Sequence, residues 1–89
     1  MRTIVPRVLK KNVAVGSVSA RVDFCSEGLL IFVRTGVNEH ERLLGFANGG
    51  PWHFRSLDGA ASVLQGCGIM RFVVDTARWV PKMARKKRV

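Results

Sequence analysis

Val18, Ala20, Val22 and Phe24 fall on one parity and mark a half-buried β-strand. Val13 and Val15 belong to the other parity, so the alternation from residue 13 to 24 changes phase at Gly16, where a bulge or bend would restore the register. Ser26-Glu27-Gly28 reads as a turn. Residues 29–34 follow as a short, almost wholly apolar strand, the pattern of a central strand or one covered on both faces. A polar connection over residues 35–41 leads to a further strand at 42–47. Asn48-Gly49-Gly50-Pro51 is a strong turn signal, since Asn and Gly tolerate positive φ. Trp52 and Phe54 then alternate with His53 and Arg55 in a fourth strand segment.

At Ser56 the period changes. Ser56 suits a helix N-cap, Asp58 lies in the first turn, and Leu57, Ala60, Ala61 and Leu64 form an i, i+3, i+4, i+7 stripe. Gly59 within that helix suggests close packing on the sheet, and Gly66 or Gly68 ends it through a left-handed cap. A last strand covers residues 70–76, with Met70, Phe72 and Val74 on one face. The expected fold is α+β: an antiparallel sheet of four to five strands with one helix on one face, in the order ββββαβ. Leu57, Ala61 and Leu64 should face a sheet surface containing Phe54 and Phe72.

The segment Phe54-Arg55-Ser56-Leu57-Asp58-Gly59-Ala60-Ala61, continued by Leu64, Gly68-Ile69 and Phe72-Val73-Val74-Asp75, resembles a pattern in small proteins of plasmids and other mobile elements, of the partition- or replication-associated type. Gly59 stands where that pattern has Ala. The resemblance implies an accessory protein of mobile DNA and supplies no catalytic residues.

Charge adds what the strand pattern omits. Residues 1–11 carry Arg2, Arg7, Lys10 and Lys11, and residues 78–89 carry Arg78, Lys82, Arg85, Lys86, Lys87 and Arg88, with no acid in either stretch. All six acids lie between them, among five arginines, so the formal +9 resides in the ends. The expected division is a basic N-terminal arm at 1–11, one domain at 12–77 and a basic C-terminal tail at 78–89. The apolar run 29–33 is far too short to span a membrane, and the start of the chain lacks a signal-peptide pattern, so a cytoplasmic protein is expected.

Two cysteines, Cys25 and Cys67, are expected to be reduced thiols. With His40 and His53 they are the potential metal ligands. Their spacings of 15, 13 and 14 lack the close pairs of structural zinc sites, so neither a metal nor another cofactor is expected. No nucleophile-elbow, phosphate-loop or zinc-protease motif is present, and no enzyme is expected. The basic ends instead suit a polyanion. Lys10, Lys11, Arg78, Lys82, Arg85, Lys86, Lys87 and Arg88 would contact phosphate, with Trp79 as a stacking surface. The partner is then DNA or RNA bound with little base reading. The alternative is a phage- or plasmid-type inhibitor of the anti-CRISPR kind that binds and blocks a host protein, through an acidic surface, or a nucleoprotein complex. A body this small also invites a homodimer.

Overall fold

A computed structural model of the chain describes residues 3–16, 18–36, 40–46 and 49–78. Seven elements follow in order: β1 (Thr3–Ile4), α1 (Pro6–Val15), β2 (Val18–Cys25), β3 (Gly28–Thr35), β4 (Arg42–Leu44), α2 (Leu57–Gly66) and β5 (Val73–Asp75). The α+β class holds, but there are two helices and the order is βαβββαβ. The five strands lie side by side as β1-β4-β3-β2-β5.

The sheet is mixed, contrary to the antiparallel expectation. β4 pairs antiparallel with β3, and β3 with β2, whereas β1 runs parallel to β4 and β5 parallel to β2. Every strand except β3 thus points the same way. Helical crossovers cause this. α1 returns the chain to the end of the sheet from which it came, so β2 repeats the direction of β1. Likewise Phe54 bridges antiparallel to Leu29, and α2 carries the chain from that bridge to a β5 of the same direction.

Residues 6–11, expected as part of the basic N-terminal arm at 1–11, form most of α1, and Val13 and Val15 belong to its last turn rather than to a strand. Pro6 occupies the first helical turn, where its missing N–H is no loss. Leu9 and Val13, four residues apart, turn inward, Leu9 fully buried and Val13 packed against the core. The phase change at Gly16 is a helix end, not a bulge.

α2 forms as the sequence indicates. The Ser56 hydroxyl accepts a hydrogen bond from the Gly59 N–H at 3.1 Å. At the other end Gly68 takes φ of 96°, its N–H donates to the Gln65 carbonyl, and the Ile69 N–H donates to that of Leu64. These two bonds define a Schellman motif. Within the stripe, Ala60 and Leu64 are fully buried and Ala61 half-buried, but Leu57 is exposed, because it sits in the first turn beyond the sheet's cover.

The remaining strands are shorter than expected. Of the strand expected at 42–47, the described residues 42–46 give three strand residues, and 52–55 contribute only the bridge at Phe54 after a bridge between Gly45 and Pro51. The turn between them is present: the Phe46 N–H donates to the Gly50 carbonyl at 2.8 Å and the Gly49 N–H to the Phe46 carbonyl at 2.9 Å. Met70 is exposed rather than inward, since pairing with β2 begins only at Val73; Phe72 and Val74 do pack on the core.

One core joins the layers. Ala20 and Val22 of β2, Leu29, Ile31 and Val33 of β3, and Leu44 of β4 face Leu9, Ala60 and Leu64 of the helices. The helices meet on this side. The Cys67 thiol, just after α2, lies 3.7 Å from the Pro6 carbonyl oxygen, and Gly68 lies beside Val13. No buried residue among those described is polar or charged.

Candidate binding surfaces

Arg7, Lys10 and Lys11 stand at i, i+3 and i+4 on α1, all exposed, on the side of the helix away from Leu9 and Val13. They make one cationic ridge. α1 contains no acid, and its first turn, where the helix dipole favours negative charge, holds Arg7 instead. The ridge therefore opposes helix stability through both the dipole and mutual repulsion.

The second surface is the sheet face that carries no helix among the described residues. Thr3, Leu43, Phe32, Arg21 and Val73 are successive register partners, a single row across all five strands. Leu43, Phe32 and Arg21 are half-buried, and Val73 is 64% exposed. The Arg21 guanidinium lies 4.6 Å from the Phe32 ring centroid. Its Nε donates to Asp23 at 2.8 Å and its Nη1 to Glu41 at 3.0 Å. Partial burial alone would lower its pKa. The Asp23 hydrogen bond and the charges of Asp23, Glu41 and Asp75 outweigh that and hold it above its ordinary value. Beside this row a cavity of about 360 Å³ is walled by Asp23, Cys25, Leu30, Asp75 and Arg78 among others.

Of the residues expected to bind a polyanion, Lys10 and Lys11 lie on the α1 ridge. Arg78 lies on the opposite side of the molecule, at the open-face cavity. Among the described residues, then, the two basic ends do not merge into one patch. Trp79, Lys82, Arg85, Lys86, Lys87 and Arg88 lie outside the described residues. Arg7 completes the ridge, and its i, i+3, i+4 relation to the lysines becomes meaningful only once residues 6–15 are a helix. The Arg21–Phe32 row needed the strand register to be seen.

Among the described residues no three His, Cys, Asp or Glu side chains come together as metal ligands. Cys67 is buried at the helix junction, His53 lies 3.6 Å from Glu27, and His40 is exposed in a connection. Both cysteines are free thiols. Burial pushes the Cys67 thiol pKa up, with nearby Lys10 opposing the shift. Among the described residues no helix is long and apolar enough to cross a membrane.

A family model described as ParC-like matches residues 4–83, from β1 into the basic C-terminal stretch. The chain belongs to the ParC-like family. Membership supports the plasmid- or replication-associated relation implied by residues 54–75, and extends it over both helices and the whole sheet. No curated protein and no solved structure matches the chain.

Proposed function

We propose that this ParC-like chain is a non-enzymatic accessory protein of a plasmid or related mobile element that binds nucleic acid through phosphate contacts. The observation carrying this reading is the α1 ridge. Three cations on one helix face, one of them in the turn where the dipole disfavours it, weaken the helix and gain nothing inside the fold. A phosphate backbone reverses that balance, because each neutralised phosphate releases condensed counterions. Arg7 adds bidentate phosphate geometry that the lysines lack. The basic residues 82–88 supply a second set of phosphate ligands. Among the described residues no base-reading element accompanies the ridge, so affinity is largely independent of sequence.

The test is a titration of labelled duplexes of unrelated sequence, and of single-stranded RNA, across a series of salt concentrations. The full chain should bind, with affinity falling steeply as salt rises. Replacing Arg7, Lys10 and Lys11 together with Gln should leave far-UV circular dichroism unchanged and reduce the log–log salt slope by up to about 3 units, since each duplex phosphate that a cation neutralises accounts for roughly 0.9. Absence of binding at low salt, or an unchanged slope in the triple variant, would overturn the proposal.

A further inference from the structure

We propose that the open face of the sheet is where two copies of this chain pack against each other, with the two-fold axis along the row Leu43–Phe32–Arg21–Val73. This goes beyond nucleic-acid binding and does not rest on it. Among the described residues the helices cover one side of the sheet only, leaving Leu30, Phe32, Leu43 and Val73 on the other. The row crosses five strands, about 19 Å at ordinary strand spacing. Two such faces at about 10 Å separation form a sandwich whose gap side chains of this size fill.

Charge on this face selects the occupant. Among the described residues of this face, Arg21, Arg34 and Arg78 stand against Asp23, Glu41 and Asp75, three of each sign. A balanced face does not attract a polyanion, but it complements itself. Rotation about the row places each strand against its own copy, with residues two ahead of the axis opposite those two behind. Phe32 then meets Phe32, Val73 meets Val73 and Arg21 meets Arg21. Arg34, exposed and without an ion pair among the described residues, stands opposite Leu30 of the second copy. Asp23 is the register partner of Leu30, one strand away at about 4.8 Å, within reach of an arginine. Each copy gives the other two such pairings, Arg34 to Asp23 and the reverse. Arg21 enters the interface already bonded to Asp23 and Glu41, so its charge is not stranded when water leaves.

The arrangement turns both α1 ridges outward on opposite sides of the pair. It is tested by sedimentation equilibrium on the full chain at micromolar concentrations, alone and as Phe32→Asp and Arg34→Glu. The wild type should have the dimer mass. Phe32→Asp should be a monomer, and Arg34→Glu should weaken association at least about tenfold in Kd. Arg34 is exposed, so its variant decides the matter if Phe32→Asp fails to fold. A wild-type monomer, or a dimer of unchanged affinity in Arg34→Glu, overturns the proposal.

Discussion

Gly28 closes the Ser26–Glu27 turn with φ of 135°, and an added Cβ would fall on the carbonyl oxygen of Phe54. That carbonyl accepts from the Leu29 N–H at 2.8 Å, so it has no freedom to move aside. Gly28→Ala should therefore lose roughly 1–3 kcal/mol to backbone strain, with the clash in addition. A fall in melting temperature of about 4–8 °C per kcal/mol is the expected readout. Gly59 behaves oppositely. Its pattern position suggests tight packing, yet a Cβ there would stand 3.4 Å from the Ser56 hydroxyl and 4.0 Å from the Phe54 ring, ordinary contact distances. Gly59→Ala should stabilise the protein by about 0.5–1 kcal/mol through helix propensity. A melting temperature that does not rise would show that the helix start needs the glycine. The same letter in the sequence thus has two meanings, separated only by what faces the missing side chain.

At the scale of elements, α2 was legible and α1 was not. α2 has a side-chain cap at Ser56, an acid at Asp58, a spaced apolar stripe and a glycine cap, all local signals. α1 follows an N-cap, Val5, that offers no side-chain hydrogen bond, has no acid in its first turn, and points Val8 and Val15 toward solvent. Val13 and Val15 then imitate strand alternation. The parallel pairings of β1 and β5 escaped for another reason: register between distant segments is fixed by the crossovers, which no short window contains. The candidate site follows suit. Lys10 and Lys11 are visible as cations, but the ridge exists only when the helix does.

The junction of the two helices makes a further prediction. Cys67 is buried there and its thiol pKa is raised, so the unfolded chain releases this proton first as pH rises. Cys67 thus contributes stability that is complete below the unfolded thiol pKa and is lost as pH rises through the folded one. Urea midpoints followed from neutral pH to above the ordinary thiol range should decline more steeply in the wild type than in Cys67→Ala. Parallel declines would remove Cys67 from the account. The half-buried Cys25 should also react with a thiol reagent well before Cys67.

Across the whole molecule, the formal charge of +9 resides in the two ends, while three of the six acids, Asp23, Glu41 and Asp75, act on Arg21. Such an excess repels itself, and the repulsion is screened by salt. The α1 ridge therefore has two separable effects that move in opposite directions when it is neutralised. Replacing Arg7, Lys10 and Lys11 with Gln should raise the melting temperature at low salt, because dipole and like-charge opposition disappear from the helix. That gain should shrink toward zero as salt approaches 1 M, where the screening length is about 3 Å. The same triple change should weaken nucleic-acid binding. Neutralising Arg85, Lys86, Lys87 and Arg88 instead should weaken binding with little change in melting temperature, if these residues act through charge alone. When both groups touch one polyanion, their reductions in salt slope add in the combined variant. Melting curves and binding isotherms on the three variants at matched salt make the comparison. A ridge that stabilises the fold at low salt would overturn its electrostatic cost to the helix, and slopes that fail to add would show that the two basic ends do not serve one ligand.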